Sequence, residues 1–137
     1  MKVVLDTNIL VSGLLSPYGA AADIMRLMTS GVIGLYYDAR IILEFHEVLA
    51  RPKFQFDQKK AEDLLGNIEV SGEAVASKPL PAHLPDIHNE MFLEVALEGQ
   101  AAFLITGNIK HFPESKRQGI KVVTPREFME HFRKMKK

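Results

Sequence analysis

The sequence predicts an α/β fold of three layers, α/β/α, in which a mainly parallel sheet of four to five strands lies between helices. Short runs rich in β-branched and aromatic residues alternate with segments whose apolar residues recur at helical spacing, as is typical of a parallel sheet covered by helices. These runs are apolar at almost every position, which indicates strands buried on both faces. The predicted strands are 2–5, 33–37, 102–106 and 121–124, with a possible edge strand around 73–76.

The size and composition of the chain are those of one globular domain. Its 137 residues are enough to bury a core without staples, and 47% hydrophobic with 25% charged residues is not the composition of a disordered chain. No segment has the composition of a linker between two cores, and there is no internal repeat. We therefore expect a single domain over residues 1–137.

Cysteine content and charge narrow the possible functions. The sequence contains no cysteine, which excludes a disulfide framework and a thiolate metal site. Seventeen basic and seventeen acidic residues give no net charge, so any contact with nucleic acid must come from a local patch. The one obvious basic run is 131–137, and we favour a solvated helix end there, with cations complementing the dipole, over contacts with phosphates.

The N-terminus offers no long apolar segment. Met1 and Lys2 lead straight into the first strand, which ends before Asp6 and leaves no room for a signal peptide or a membrane span. We expect a cytoplasmic protein with no membrane contact.

Six helices are predicted from apolar spacing and from residues that start or stop helices. Pro52 stops the third helix and Asp57 caps the fourth, while Thr124 and Pro125 form the cap and first turn of the last. A glycine and three prolines argue against a long regular element over 70–85. The predicted ranges are 8–15, 20–30, 39–50, 57–65, 89–97 and a last helix that begins at 125.

Polar residues follow two strands that should be neighbours at one edge of the sheet. In open α/β sheets, ligands bind outside the carboxyl ends of the strands. Asp6, Thr7 and Asn8 come directly after the first strand, and Thr106 and Asn108 follow a later one. At this edge Asp6 is either the N-cap of the following helix or a metal ligand, and both interpretations stay open.

Two predicted helices carry polar residues toward the same edge. Glu44 lies at the border of its apolar stripe, from where it can reach the sheet edge, whereas Glu47 points into solvent. Asn89 shares a face with the apolar residues three, four and seven positions later, so its side chain is aimed inward unless it caps the helix.

The loop around Asn89 adds candidate ligands. Asp86, His88 and Glu90 supply oxygen and nitrogen atoms, although Asp86 is also explained as a favourable charge near a helix N-terminus. Of the five scattered histidines, only His88 and His111 lie in the relevant loops.

A set of carboxylates and amides suits hard cations such as Mg²⁺ or Mn²⁺, which polarise phosphoryl oxygens and lower the pKa of bound water. A hydrolase acting on nucleic acid follows. Competing chemistries lack their motifs, since the sequence contains no Gly-rich phosphate loop, no GxSxG elbow and no HExxH helix.

Several motifs together resemble those of one known family. They are VLDTNILVS at 4–12, the helical Glu44, FLEVA at 92–96, the loop 103–113 with FLITGN and KHFP, and TPREF at 124–128. On these motifs the chain resembles, over almost its whole length, the PIN-domain family, specifically its bacterial and archaeal branch of toxin components from toxin–antitoxin pairs. Each motif alone is weakly specific, and the combination is specific.

The resemblance implies a PIN-like fold with Rossmann-like topology, frequently a homodimer, and Mg²⁺- or Mn²⁺-dependent cleavage of RNA. In toxin members a small antitoxin protein covers the site. Asp6 and Glu44 correspond to the first two metal-binding acids of the family, and Asn8 and Thr106 to supporting polar residues of the same pocket.

This sequence departs from the family pattern at the later acids. The branch usually has a run like Asp-Pro-Asp-Asp-Glu where this chain has DIHNE, so Asn89 stands at an expected acid. Asn108 occupies the fourth position, where many PIN domains have aspartate. Two amides in place of carboxylates weaken a cation site. Asp86 or Glu90 would have to compensate, and Asp86 is the closer match to a family acid.

Two functions therefore stay open. In the first, the chain is a metal-dependent endoribonuclease in which Asp6, Glu44 and either Asp86 or Asn89 hold the ion, with Asn108 as a further ligand. In the second, it is a catalytically degenerate PIN domain that binds RNA or a protein partner without cutting. A flavodoxin-like nucleotide binder is a weaker third idea, which the missing Gly-rich loop disfavours.

Overall fold

Five parallel strands form one sheet in the computed structural model, which describes residues 1–135. The last two residues of the predicted basic run, Lys136 and Lys137, lie outside the described residues. The sheet has the order β3-β2-β1-β4-β5, and every neighbouring pair is parallel, which confirms the predicted sheet and the edge position of β3. The strands are β1 (Lys2–Leu5), β2 (Gly34–Tyr37), β3 (Glu73–Ala74), β4 (Leu104–Ile105) and β5 (Val122–Val123).

Six α-helices lie in the described chain, as predicted, and flank the sheet in a three-layer α/β/α arrangement. In the last of them Thr124 acts as predicted, because its Oγ1 accepts from the Glu127 amide at 3.1 Å and its own amide donates to Glu127 Oε1 at 2.9 Å. The helices are α1 (Thr7–Leu15), α2 (Ala20–Thr29), α3 (Ala39–Leu49), α4 (Gln58–Ser71), α5 (Glu90–Gly99) and α6 (Pro125–Met135).

The fourth helix is longer than predicted. Its expected end at Leu65 is wrong, since α4 continues to Ser71. Gly66 costs roughly 1 kcal/mol of helix propensity, but burying Ile68 offsets that with about 1.5–3 kcal/mol. The helix stops at Gly72, where a Cβ atom would lie 2.3 Å from the Leu35 carbonyl oxygen.

The two last strands are shorter than predicted, with two residues each. The hydrogen bonding nevertheless continues beyond them, because the Ala102 amide donates to Lys2 at 3.1 Å and the Thr106 amide donates to Val123 at 2.9 Å. The range 102–106 is therefore extended and paired, although only its centre forms a regular ladder.

The strand order places a crevice at the carboxyl end of β1. From β1 the chain moves outward to β2 and β3, then returns to the other side of β1 for β4 and β5. At such a reversal the connections after the two inner strands diverge and leave an open crevice between them. The central strand is buried from Val3 to Leu5, so the first polar side chain of the crevice is that of Asp6. Within residues 1–135, no helix is both long and apolar enough to span a membrane.

Candidate functional site

Asp6 and Thr106 meet in the crevice between β1 and β4. Asp6 is 5% exposed and Thr106 is fully buried, and Thr106 Oγ1 donates a hydrogen bond of 2.8 Å to Asp6 Oδ2. The Asp6 amide donates to the Ile105 carbonyl oxygen at 3.0 Å, which fixes the backbone of one loop against the other strand. The two loops predicted to be neighbours are therefore joined directly.

Asp6 also caps α1. Its Oδ1 accepts from the Asn8 amide at a long 3.4 Å, and Asn8 itself is exposed at the mouth of the crevice. A carboxylate has about four acceptor sites, so a weak cap and one threonine hydroxyl leave capacity for a further partner. The cap therefore does not exclude a ligand role for Asp6.

Burial raises the pKa of the Asp6 carboxyl above its ordinary value. The hydrogen bonds from Thr106 and the Asn8 amide and the charge of His111 act in the opposite direction, and repulsion by Glu44 adds to the rise. An ionised Asp6 is thus held in a place that disfavours its charge. Such a carboxylate gains from any cation brought next to it.

Glu44 reaches the same crevice from α3. Its side chain is only 13% exposed, and its two oxygens contact Thr7 Oγ1 and His88 Nε2. Glu47, one turn away, is exposed. The predicted contrast between the two glutamates is thus confirmed.

Asn89 and Asn108 are joined by one imidazole ring. Asn89 is buried and its Nδ2 lies 3.1 Å from His111 Nδ1, while Asn108 Nδ2 lies 3.0 Å from His111 Nε2. Both contacting atoms are amide nitrogens, which only donate, whereas a neutral imidazole has one N–H and one lone pair. The ring therefore accepts from one of the two amides, and the other amide pairs with the ring N–H only with its oxygen turned toward it. Asn89 is the N-cap residue of α5 but its side chain makes no cap hydrogen bond, so the inward orientation is confirmed.

Asp86 and Glu90 have different surroundings. Asp86 is exposed, lines the crevice and accepts from the His88 amide at 3.0 Å. Glu90 accepts from the Leu84 amide at 2.9 Å and contacts His83 Nδ1 at 2.9 Å. Although desolvation alone would raise the pKa of Glu90, these two partners and the charge of Lys116 lower it. Glu90 thus holds the loop before α5 and does not line the crevice.

The crevice is a cavity of about 290 Å³ that also contains residues missed by the sequence reasoning. Arg51 lies two residues past the end of α3, where the helical period that places Glu44 no longer applies. Phe54 likewise carries no sequence signal of a site, whereas Thr7 was already named among the polar residues that follow the first strand. The cavity is lined by Asp6, Thr7, Asn8, Val11, Glu44, Val48, Arg51, Lys53, Phe54, Asp86, His88, Asn89 and His111.

Comparison with known families assigns the chain to a protein family. A family model described as PIN domain matches residues 2–110. The chain belongs to the PIN-domain family. PIN domains are generally nucleases that act on RNA, and the matched range of this PIN domain includes Asp6, Glu44, Asn89 and Asn108. No curated protein matches the chain.

Members of the PIN-domain family typically use divalent cations. Over residues 1–135, no three acidic or histidine side chains converge as a metal-binding group. Mg²⁺, however, is commonly held by one or two carboxylates, with water and substrate phosphate completing its shell. Asp6 and Glu44 provide two carboxylates in one cavity, so the residues present fit a weakly held ion.

Proposed function

We propose that this PIN domain is an endoribonuclease that hydrolyses RNA phosphodiester bonds with Mg²⁺ or Mn²⁺. The observation that carries the proposal is the pair of carboxylates, Asp6 and Glu44, that opens on one cavity at the carboxyl end of β1. Their mutual repulsion and the burial of Asp6 favour a cation between them. When bound, such a cation polarises a phosphoryl oxygen and makes water a better nucleophile.

The residues around the two acids have supporting roles in this proposal. Thr106 and Thr7 donate hydrogen bonds to Asp6 and Glu44 and thereby fix the direction of the two carboxylates. Asn89 and Asn108 provide neutral oxygen atoms in place of further acids, and Asp86 adds negative charge at the exposed side of the cavity. Asn8 supports the site through the amide that holds Asp6 Oδ1.

RNA cleavage by the purified protein tests the proposal. We expect cleavage of a labelled RNA with Mn²⁺ or Mg²⁺ and none with EDTA. Asp6→Asn and Glu44→Gln should each lower the rate by about 100-fold or more, because each removes a charged ligand. Glu47→Gln is the matched control on the exposed side of α3 and should keep full activity. An inert native protein, with cleavage by Asn89→Asp alone, would overturn the proposal.

The second candidate is a PIN domain that binds RNA or a protein without cutting. Its supporting observation is that the side chains expected to hold a metal already contact other protein groups: Asn89 and Asn108 contact His111 through their amide nitrogens, and Glu44 contacts His88 through a carboxylate oxygen. A binding module needs no open metal shell. RNA binding without cleavage in Mn²⁺, unchanged by Asp6→Asn, supports this candidate, whereas cleavage abolished by Asp6→Asn rules it out.

We further propose the cellular role that the resemblance implies, a cytoplasmic toxin that is a homodimer and is held inactive by a small antitoxin protein. A mainly apolar groove of about 600 Å³ between α3 and α4, beside the 67% exposed Leu43, supports a protein contact there. The mass in solution tests the homodimer. Growth arrest on expression, relieved by Asp6→Asn, tests the toxin role.

A further inference from the structure

A short turn between α3 and α4 places aromatic rings and cations at the mouth of the cavity. We call residues 51–56 the aromatic turn. Arg51, Lys53 and Phe54 line the cavity that contains Asp6 and Glu44. Phe56 lines a second cavity of about 160 Å³, together with Lys60 of α4. Phe54 and Phe56 of the aromatic turn therefore line two separate cavities.

The backbone of the aromatic turn is preformed. Pro52 begins one turn of 3-10 helix, and the Phe54 amide donates to the Arg51 carbonyl oxygen at 3.2 Å. Gln55 ends the turn in the left-handed region, with φ 53°, and Gln58 Nε2 donates to the Phe56 carbonyl oxygen at 3.0 Å. Binding of a ligand to this surface therefore costs little conformational entropy, because the backbone is already ordered.

The two phenyl rings of the turn are stacked and partly exposed. The ring centroids of Phe54 and Phe56 are 5.4 Å apart, with 21° between the ring planes. Phe56 packs against the core, whereas Phe54 borders the cavity. The arrangement presents a supported aromatic surface beside the two carboxylates.

The cations of the turn have no acidic partner in the described chain. Arg51 is exposed, and over residues 1–135 its side chain makes neither an ion pair nor a hydrogen bond. Lys53 Nζ lies 5.0 Å from the centroid of the Phe54 ring, and the Lys53 side chain makes no ion pair within residues 1–135. A cavity with buried carboxylates repels phosphate, so cations at its mouth are needed if a phosphodiester is to enter.

We propose that the aromatic turn is the nucleotide-binding part of this site. A base next to the reacting phosphate stacks on Phe54, and Arg51 binds the phosphate that enters the cavity. The occupant is single-stranded RNA, because a base must leave its own stack to lie on a phenyl ring, and a ring accepts any base. The inference rests on the proposed action on RNA and adds the residues that bind the strand.

Lys53 changes partner when the base arrives. A cation over a ring at an exposed position is held more weakly than a base stacked on the same ring. The base therefore displaces the Lys53 ammonium from Phe54. The released ammonium then lies near the strand and contributes a second phosphate contact.

Binding of labelled oligoribonucleotides in EDTA and low salt, where no cleavage occurs, tests the inference. Two strands of equal length are compared by fluorescence anisotropy, one of adenosines and one abasic. Phe54→Leu should weaken binding of the adenosine strand by roughly tenfold and leave abasic binding unchanged, while Phe54→Trp should restore it. Arg51→Gln should weaken both and reduce the salt dependence by about 0.7 of a logarithmic unit per unit of log salt. Tyr18→Leu, which removes an aromatic ring that is 83% exposed, is the control.

The outcomes separate this inference from the proposed function. If the native protein and correctly folded Phe54→Leu bind the adenosine strand equally well, a base does not stack on Phe54 and the inference is overturned. The proposed RNA cleavage is not affected by that result. No binding of either strand by the native protein overturns the inference, whereas the proposed function is decided separately by cleavage of RNA in Mn²⁺ or Mg²⁺. Binding of a peptide partner in place of RNA, lost in Phe54→Leu, also overturns the inference.

Discussion

Asp6 has two opposing effects on the stability of the fold. Asp6 caps α1 and accepts a hydrogen bond from Thr106, which stabilises its position. Its carboxylate is also buried next to Glu44, which costs free energy. Residues that bind ions often carry such a cost in the free protein. The balance at Asp6 is open to measurement.

We predict that Asp6→Asn makes the metal-free protein more stable at neutral pH. The raised pKa means that folded Asp6 keeps its proton at pH values where the unfolded chain has lost it. The contribution of Asp6 to stability therefore falls as the pH rises from about 4 through the folded pKa, and stays constant above it. At about pH 7 the variant should melt roughly 2–4 °C higher, with no gain at about pH 3.

Thermal melts in EDTA across this pH range check the prediction. The control is Asp63→Asn, an exposed acid of α4 whose replacement should leave the melting temperature unchanged. A lower melting temperature of Asp6→Asn at neutral pH would show that the hydrogen bonds of the carboxylate outweigh its burial.

The sequence predicts that a residue belongs to the site where its position after a strand or on a helix face places it there. Asp6 and Thr106 follow strands, and Glu44 and Asn89 lie on particular helix faces, all of which the sequence pattern contains. The partners across the crevice were not predictable. Thr7 meets Glu44 over 37 residues and His111 meets Asn89 over 22, and periodicity carries no information about contacts of that range.

At the scale of elements, α5 holds the chain segment that leads toward the site. Glu94, buried on α5, accepts from Arg40 Nη1 at 2.8 Å and from the Leu80 amide at 3.2 Å. Arg40 also bonds Ser77 at 3.1 Å. One carboxylate thus ties α3, α5 and the segment 75–80 together.

We predict that Glu94→Gln lowers the free energy of unfolding by about 1–2 kcal/mol, because the neutral amide replaces a charge-assisted bond to Arg40. Glu98→Gln, an exposed position on the same helix, should change it by less than about 0.5 kcal/mol. Urea unfolding measures the free energy of unfolding of both variants. Equal stability of the two variants would mean that Glu94 contributes no more than a surface residue.

The elements were largely predictable because each has a local cause, such as a cap, a stop or an apolar period. The exceptions are the two last strands, whose regular ladders are shorter than predicted, and the end of α4, which shows why a local rule can fail. Gly66 weakens the helix locally, yet Ile68 continues it by packing against the core, and that burial is a property of the folded chain.

At the scale of the whole molecule, the strand order places the site. Of that order, the sequence predicted only that the loops after β1 and β4 are neighbours. Parallel strands buried on both faces are apolar at every position, so the sequence of each fits any neighbour. The observed order brings β4 beside β1 and thereby joins Thr106 to Asp6 across 100 residues. Connections from both halves of the sheet therefore meet at the candidate ligands.

An ion held by Asp6, Glu44 and Asn89 would connect β1, α3 and α5, so its binding should stabilise the entire fold. A ligand that binds only the folded protein adds about 1.4 kcal/mol at about ten times its Kd and about 2.7 kcal/mol at about one hundred times. We predict a small rise in melting temperature with Mn²⁺, a larger rise for Asn89→Asp because a third carboxylate tightens the site, and none for Asp6→Asn. Each variant is compared with itself in EDTA, since a buried aspartate also destabilises the metal-free fold. An equal rise in all three proteins would place Mn²⁺ elsewhere on the molecule.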